Sequence, residues 1–457
     1  MAVWSEVRLS ECGTSIRIDA EYYQPFFIEW IKRWHEQGVV PLGNHYARIM
    51  KRRFLPEDGK SFDYIEISRV STILGTYDVI HLDDTEAPSR AQYVVKPGDV
   101  ILSEVRPNRS AVSLFPEGIG RTVCSSGFGV LKAERVSPEY LFAYLKTSII
   151  TRLLDRETTA TMYPAVADKD VLALPFPQPS ADMEKRVTAD IQKAFGKVEE
   201  SKGLYSKAEH ILIEELGLKE LDLSPTLYYE GRFAKIREAR RIDAEYFQPK
   251  YERVMAALKR SKPKRIVRLG ELLVMLTNGH TPLHHNLSEG DVPFLTAEHV
   301  FDFRIEYDSE KRILLQHHTG ELKRTCLKDG DCLITIKGRI GNAAIAENVP
   351  GHVNINQDIA LFRLNEIVPS YYLMGYLNSP VGKTFIEQYC TGQINPFLGL
   401  GNVRLLPVPV YEEKRMSVIA EKTKSIVIEA AAALEQSRQI LKNAIHMVED
   451  GVLKGAN

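Results

Sequence analysis

Residues 17–25 read RIDAEYYQP, and residues 241–249 read RIDAEYFQP. Eight of these nine positions are identical, and the two copies lie 224 positions apart in a chain of 457 residues. A repeat whose period is close to half the chain length indicates duplication of a whole domain. We therefore expect two related globular domains.

The duplication continues downstream at a constant offset of 232 residues. Three further segments align at this offset: KPGDVIL at 96–102 with KDGDCLI at 328–334, YLFAYL at 140–145 with YLMGYL at 372–377, and LPFP at 174–177 with LPVP at 406–409. The two copies therefore differ in length only between the opening phrase and the Gly-Asp segment.

The composition is that of an ordinary globular protein, with 44% hydrophobic and 26% charged residues. No run approaches the roughly 18 apolar residues of a membrane span, and the start of the chain lacks the basic and apolar regions of a signal peptide. The five cysteines show no paired metal-binding spacing. These features predict a cytoplasmic protein with reduced thiols and no membrane partner.

The charge is distributed unevenly. The net charge of -1 argues against a uniformly basic nucleic-acid binder. However, residues 230–268 contain 13 Lys and Arg against 5 Asp and Glu, and Arg48, Lys51, Arg52 and Arg53 cluster in the first copy. Local basic surfaces on a neutral protein are one interpretation, and solvated charged faces are the other.

Each copy shows the same order of local patterns. An amphipathic stretch at 22–35 or 246–258 predicts a helix, and short β-type runs separated by Gly, Pro and Asn follow it. The pairs at 98–99 and 330–331, both Gly-Asp, predict a turn into a buried strand. A second helix should begin near Pro138 and near Pro369, since proline suits a first helical turn. The sequence therefore predicts an α+β fold with mixed sheets.

A long heptad pattern follows each Leu-Pro-x-Pro step. The first runs through Val187, Ile191, Ala194, Val198, Ser201, Tyr205, Ala208 and Leu212, with Ser201 as the interruption. The second runs through Met416, Ile419, Thr423, Ile426, Ala430, Ala433, Ser437, Ile440, Ala444 and Met447, with a parallel row at Val427, Leu434, Leu441 and Val448. Each helix of about 33 residues would be about 50 Å long. We expect the two helices to pair as an antiparallel coiled coil; the alternative is that each helix covers its own domain.

Motifs for catalysis are missing from the sequence. Gly382-Lys383-Thr384 resembles the end of a phosphate-binding loop, but Leu377 stands where the first glycine belongs. The histidines show no metal-binding spacing, and no nucleophile lies in a G-x-S-x-G context. These observations favour a binding protein over an enzyme.

Two diverged domains, each followed by a long helix, resemble the DNA-specificity (S) subunit of type I restriction–modification systems. In the first copy the resemblance rests on residues 87–91, 95–101 and 105–107, and in the second on 279–282 and 290–295. It implies a target-recognition domain at 1–180, a spacer helix at 181–217, a linker at 218–240, a second target-recognition domain at 241–411 and a second spacer helix at 412–450.

The resemblance also implies a function and partners. Each domain would read one half of a split sequence in double-stranded DNA, and the helices would set the spacer. The chain would dock two methyltransferase (M) subunits and, in the full complex, restriction (R) subunits. It would hold no cofactor, because S-adenosylmethionine, ATP and Mg²⁺ would bind the partners. Two alternatives are the specificity chain of a related type II methyltransferase–nuclease and a scaffold that binds proteins.

Base recognition needs Arg, Lys, Asn and Gln side chains on loops, because their donors and acceptors match base edges. The DNA-binding candidates are Arg52, Arg53, Arg69, Arg106, Asn108 and Arg109 in the first domain, and Lys337, Arg339, Asn342, Asn354, Asn356, Gln357 and Gln393 in the second. A phosphate contact or a plain exposed charge is the alternative for each of them. The helix–helix packing candidates are Val187, Ile191, Val198, Tyr205, Leu212, Ile419, Ile426, Leu434 and Leu441.

Overall fold

The structure is a computed structural model that describes residues 20–116, 118–158, 164–218, 221–283, 286–392 and 394–454. The chain divides into two compact units. Unit 1 comprises Met1–Val198 and Leu434–Asn457, and unit 2 comprises Glu199–Ala433. Each unit takes in part of both long helices, and the predicted domain boundaries stay predictions.

Unit 1 contains five short helices and ten strands among its described residues. The helices are α1 (Pro25–Glu36), α2 (Leu42–His45), α3 (Pro138–Leu145), α4 (Ser148–Glu157) and α5 (Asp168–Leu172). The strands are β1 (Val40–Pro41), β2 (Ala47–Ile49), β3 (Ser61–Ile65), β4 (Ile80–Asp83), β5 (Ala91–Val95), β6 (Asp99–Ser103), β7 (Val112–Leu114), β8 (Thr122–Ser125), β9 (Phe128–Ala133) and β10 (Pro175–Phe176).

The long helix α6 (Ala181–Leu216) follows, and the remaining short elements belong to unit 2. Its helices are α7 (Phe233–Ala239), α8 (Pro249–Arg260), α9 (Leu315–Thr319), α10 (Ser370–Asn378), α11 (Pro380–Tyr389) and α12 (Leu400–Leu405). Its strands are β11 (Arg265–Arg268), β12 (Leu273–Asn278), β13 (Val292–Leu295), β14 (Val300–Phe301), β15 (Arg304–Ile305), β16 (Arg312–Ile313), β17 (Cys332–Thr335), β18 (Ala343–Ile345), β19 (Asn354–Ile355), β20 (Ile359–Leu364) and β21 (Pro407–Val410). The second long helix, α13 (Glu413–Lys454), ends the described chain.

Each unit contains one four-stranded antiparallel sheet and one mixed sheet, besides the two-stranded antiparallel pairs β1-β10 in unit 1 and β11-β21 and β14-β15 in unit 2. Unit 1 has the antiparallel order β2-β9-β6-β7 and the mixed order β4-β3-β8-β5, in which β3 and β8 are parallel. Unit 2 has the antiparallel order β12-β20-β17-β18 and the mixed order β16-β13-β19, in which β13 and β19 are parallel. The prediction of an α+β fold with several small mixed sheets and long helices is confirmed.

The Gly-Asp pairs turn the chain into the central strands β6 and β17. Gly98 has a φ of +78° and Gly330 a φ of +87°, a left-handed conformation that glycine adopts without a Cβ penalty. The following Asp99 and Asp331 carboxylates accept backbone hydrogen bonds from the N–H groups three residues upstream, at 2.7 and 3.0 Å. Every residue of both strands is buried. The turn thus fixes where each central strand begins.

Proline determines where several helices begin. α1 and α8 start at Pro25 and Pro249, three residues later than the amphipathic pattern predicts. Proline has no N–H to donate and its fixed φ suits the first helical position. α3 begins at Pro138, and the Ser137 hydroxyl caps it by accepting the Tyr140 N–H at 3.1 Å. Within the described residues, no helix has the length and apolar character needed to cross a membrane.

The heptad positions of the long helices are buried within each unit. In unit 1, the predicted packing residues Val187, Ile191, Val198, Leu434 and Leu441 join one core. In unit 2, Leu212 and Ile419 are fully buried, while Tyr205 and Ile426 are partly buried against the core. The parallel row Val427, Leu434, Leu441 and Val448 is buried, whereas Ile440 and Met447 of the main pattern are partly buried.

Two buried serines make the same contact, one in each unit. In unit 2 the Ser201 hydroxyl of α6 donates to the Ala430 carbonyl of α13 at 2.8 Å. In unit 1 the Ser437 hydroxyl of α13 donates to the Ala194 carbonyl of α6, also at 2.8 Å. Ser201 was expected to interrupt the heptad pattern. It is instead 2% exposed and hydrogen-bonded across the helix pair.

Candidate nucleic-acid interface

Strand β6 of unit 1 leads into a tight basic loop. Arg106 and Ser110 bound the loop, and both have φ near +52°. A 3-10 turn lies between them, and the Asn108 and Arg109 side chains are exposed. The Arg106 N–H donates to the Pro164 carbonyl at 2.7 Å, which fixes the start of the loop. Two left-handed non-glycine residues in one short loop are uncommon and need support from surrounding structure.

Strand β17 of unit 2 leads into the equivalent loop, which includes Lys337, Arg339 and Asn342. Hydrogen bonds close the loop on itself, since the Thr335 hydroxyl donates to the Arg339 carbonyl and accepts the Asn342 N–H. Lys337 is exposed and Arg339 is half-buried. The Asn342 amide donates to the Val300 carbonyl at 3.0 Å, so this side chain holds the loop in place.

Aromatic rings lie beside the two cations of this loop. The Lys337 ammonium is 5.2 Å from the Phe397 ring centroid, and the Arg339 guanidinium is 5.5 Å from that of Phe301. Arg304 stacks on Phe301 at 4.0 Å. Sequence reasoning missed Phe301 and Arg304, since the hairpin that carries them is only two residues long on each side.

The three remaining candidates of unit 1 lie in different environments. Arg52 forms a bidentate ion pair with the buried Asp99 carboxylate, at 2.5 and 2.9 Å, and its side chain is 20% exposed. Arg53 is exposed and its backbone bridges to Tyr93. Arg69 is half-buried in a 3-10 turn. The geometry thus assigns Arg52 a structural contact and leaves Arg53 accessible.

Two predicted asparagines of unit 2 are buried. Asn354 is fully buried, and its amide accepts from the Thr325 hydroxyl at 2.7 Å and donates to the Leu322 carbonyl at 3.1 Å. Asn356 is 5% exposed and bonds Asp358 at 2.7 Å. In this conformation neither amide faces solvent. Gln357 is exposed, and Gln393 lies outside the described residues.

Gly279 allows a close approach between two backbone segments near Gln357. A Cβ at this position would lie 1.8 Å from the Ile355 carbonyl oxygen, so no other residue fits without movement. Thr281, two residues further on, donates to the Gln357 side chain at 2.8 Å. The segment at 279–282 thus positions the exposed side-chain amide of Gln357. Gly279 was the residue in the sequence that could have indicated this close approach.

Glu104, which precedes the basic loop of unit 1 by two residues, interacts with the Asp168 carboxyl and with Lys51. Lys51 contacts Asp168 at 2.6 Å. Burial, with the neighbouring Asp168 carboxyl, raises the pKa of Glu104 to about 8, while the Lys51 charge opposes the rise. Among the described residues, no group of three or more His, Cys, Asp and Glu side chains could hold a metal ion. Because its pKa is raised to about 8, the Glu104 carboxyl holds a proton near neutral pH.

Several solved structures are similar to this chain, among them the following three. One is a chain from a structure that addresses complex assembly and conformational transition of the type I R-M system. It has 20% identity and a TM-score of 0.32, and the match covers 90% of this chain and 96% of that chain. The HsdS subunit from Thermoanaerobacter tengcongensis has 20% identity, coverage of 92% and 98%, and a TM-score of 0.31. The S subunit of the type I restriction–modification system from M. genitalium has 14% identity, coverage of 91% and 94%, and a TM-score of 0.36.

All three belong to type I restriction–modification systems. This is the family that the sequence resembles. No protein-family model and no curated protein matches the chain. Because the three TM-scores are below 0.5, we base the function on the residues of this chain.

Proposed function

We propose that this chain is the DNA-specificity subunit of a type I restriction–modification system and that each unit reads one half of a bipartite DNA sequence. One observation carries the proposal. In both units, the buried strand after the Gly-Asp turn runs directly into a basic loop. β6 leads to Arg106 and Arg109, and β17 leads to Lys337 and Arg339.

The chemistry of these loops suits double-stranded DNA. Arginine and lysine donate to the major-groove edge of guanine, and asparagine and glutamine bond adenine on two atoms. Side chains held within the protein are poor candidates for such contacts, which sets aside Arg52, Asn342, Asn354 and Asn356. The proposed contacts come from Arg53, Arg69, Arg106, Asn108, Arg109, Lys337, Arg339 and Gln357.

The two long helices would form an antiparallel coiled coil that sets the gap between the half-sites. Buried heptad positions and the paired serine contacts support this proposal. α6 has 36 residues, and at 1.5 Å per residue it is about 54 Å long. That length corresponds to about 16 base pairs at 3.4 Å per pair. The proposal therefore implies a recognition sequence whose central base pairs are contacted by neither unit for their identity.

The chemical steps would belong to partner subunits. In this proposal the chain docks two methyltransferase subunits, which use S-adenosylmethionine, and restriction subunits that use ATP and Mg²⁺. Its own residues would position DNA without taking part in the reaction. Specificity subunits of this kind need only binding energy that differs between DNA sequences.

The test is sequencing of modified bases in DNA from cells that express the chain with its methyltransferase partner. We expect methylation at one split motif. Arg106→Ala should relax recognition in one half-site, and Arg339→Ala should relax it in the other, because a base contact acts at one position of the motif. Lys32→Ala on α1 is the control, since it removes an exposed lysine that lies far from both loops in sequence and outside the basic segment 230–268.

Other outcomes distinguish the alternatives. A single continuous motif that responds to both arginine variants would contradict the assignment of one half-site to each unit. Methylation and cleavage by one fused partner would identify the type II system. Binding of protein partners without any sequence-dependent DNA binding would identify a scaffold and would exclude the proposed function.

A further inference from the structure

Lys146 of unit 1 lies between α3 and α4, and its side chain is buried. The ammonium donates to the Thr72 carbonyl at 2.7 Å and to the Ser110 carbonyl at 3.3 Å. The Phe142 ring lies below it, 5.8 Å away. Ser110 ends the basic loop that begins at Arg106, and Thr72 belongs to a separate loop between β3 and β4. One side chain therefore joins two loops of the same unit.

Lys383 of unit 2 makes the corresponding connection from α11. Its ammonium donates to the Gly341 carbonyl at 2.9 Å and contacts the Asp302 carboxylate at 2.6 Å. Gly341 belongs to the basic loop that follows β17, and Asp302 lies in the turn of the β14–β15 hairpin. That hairpin carries Phe301, which stacks near Arg339. Here too, one lysine joins the basic loop to a second loop.

The two lysines do not descend from one position of the duplicated module. At the offset of 232 residues, Lys146 aligns with Asn378, and Lys383 aligns with Thr151. Asn378 bonds both the N–H and the carbonyl of Ala343, at 3.0 and 2.7 Å, so this position contacts the end of the unit 2 loop through an amide and not through a lysine. Duplication alone does not explain why each unit has a lysine in contact with its basic loop. A shared mechanical requirement of the two loops does.

We propose that Lys146 and Lys383 are positioning residues that hold the basic loop of their own unit in the geometry needed for base discrimination. The inference rests on the proposed function. Hydrogen bonds to base edges are selective only within narrow limits of distance and angle. A loop that moves by an ångström still attracts phosphates, but it no longer distinguishes bases. Loss of either lysine should therefore reduce specificity more than affinity.

The loop of unit 1 shows why such support is required. Arg106 and Ser110 are both left-handed, and non-glycine residues hold this conformation only where surrounding contacts fix it. Asn108 and Arg109 lie between them and are exposed. The lysine contact at Ser110 and the Arg106 contact with Pro164 hold the two ends of the loop. Loss of the lysine removes the hydrogen bond that ties Ser110, at the end of the loop, to α3 and α4.

The experiment compares Lys146→Met and Lys383→Met in the full chain, bound to its methyltransferase partner. Binding is measured at fixed salt to oligonucleotides with single changes in each half-site and to an unrelated duplex. Lys146→Met should reduce discrimination about tenfold in the half-site read by unit 1, with unrelated DNA and the other half-site unaffected. Lys383→Met should give the reverse pattern, so each variant is the control for the other.

Hydrogen exchange supplies a readout without DNA. Exchange should increase at residues 106–112 in Lys146→Met and at 337–343 in Lys383→Met, with the other loop unchanged. If Lys383→Met does not fold, Asp302→Asn weakens the same connection from its other end and tests the inference in unit 2. Lys383→Arg keeps a donor that can reach Asp302 and should restore most of the discrimination.

Three results would overturn the inference: unchanged discrimination in variants with faster loop exchange, equal losses in both half-sites, or equal losses on specific and unrelated DNA. The proposed function fails separately, if the unmodified chain shows no bipartite recognition at all. Bipartite recognition by the unmodified chain, together with unchanged discrimination in both methionine variants, would reject the positioning role alone.

Discussion

The ion pair between Arg52 and Asp99 should stabilise unit 1, and a double-mutant cycle can measure its contribution. Asp99 is 2% exposed at its side chain and accepts two hydrogen bonds from Arg52 and one from the Lys96 N–H. Charge-assisted hydrogen bonds contribute about 1.5–3 kcal/mol each. Because the guanidinium is partly exposed, we expect Asp99→Asn, which keeps the backbone contact, to cost about 2–3 kcal/mol in total.

The cycle combines Asp99→Asn with Arg52→Met. Arg52→Met leaves a buried carboxylate without its counter-charge and should cost about 3 kcal/mol, and the coupling between the two changes should be about 2 kcal/mol. The assay is urea unfolding, with hydrogen exchange of β6 reporting on unit 1. A coupling below about 0.5 kcal/mol would refute the structural role, as would an Arg52→Met variant of normal stability and weakened DNA binding.

Unit 2 provides the comparison within the same chain. Asp331 pairs with Arg363 at 2.5 and 3.1 Å, but the Arg363 side chain is 35% exposed, against 20% for Arg52. Solvent screens an exposed ion pair more strongly. The Asp331–Arg363 coupling should therefore be smaller than the Asp99–Arg52 coupling, and the reverse order would contradict the reasoning.

Three further predictions concern packing and protonation. Ser201→Ala and Ser437→Ala should each cost about 1 kcal/mol in urea unfolding, because each removes one buried hydrogen bond to a helix carbonyl; a loss in only one variant would argue against equivalent contacts. The free energy of unfolding should depend on pH through Glu104. Its folded pKa of about 8 exceeds the ordinary 4.5, so the native state keeps the proton to a higher pH than the unfolded state does. Stability therefore falls as pH rises between these values. Glu104→Gln should remove this dependence, so its stability relative to the unmodified chain should be higher at pH 8 than at pH 5. Parallel pH profiles of stability for the two proteins would contradict the prediction. Gly279→Ala should cost about 3 kcal/mol and raise hydrogen exchange in β19, because its Cβ would meet the Ile355 carbonyl; a normal melting temperature would exclude the close approach.

Local patterns predicted the elements that depend on local physics. The Gly-Asp turns and the buried runs after them gave β6 and β17, because turn chemistry and continuous hydrophobicity act over a few residues. The predicted helix starts shifted to Pro25 and Pro249 because proline restricts the backbone more strongly than the amphipathic pattern does. The α+β class follows from these elements.

The sequence could not reveal contacts between distant residues. Arg52 resembles a DNA contact until Asp99, 47 positions away, is placed beside it. Asn354 resembles an exposed reader until Thr325 and Leu322 surround its amide. In both cases the residue type permits two roles, and only tertiary packing selects one. Lys146 and Lys383 were missed for the same reason, since each contacts a loop far away in sequence.

The most direct test of the account changes the length of the helices. One heptad is inserted in α6 between Val198 and Glu199, together with one in α13 between Ala433 and Leu434, so that the pattern of buried positions continues. Seven residues add about 10.5 Å, or about 3 base pairs. Sequencing of modified bases should show the same two half-sites with a gap about 3 base pairs longer, while a seven-residue insertion in the segment 224–232 should leave the gap unchanged. An unaltered gap in the heptad variant, with both half-sites still recognised, would contradict the proposal that the helices set the spacing.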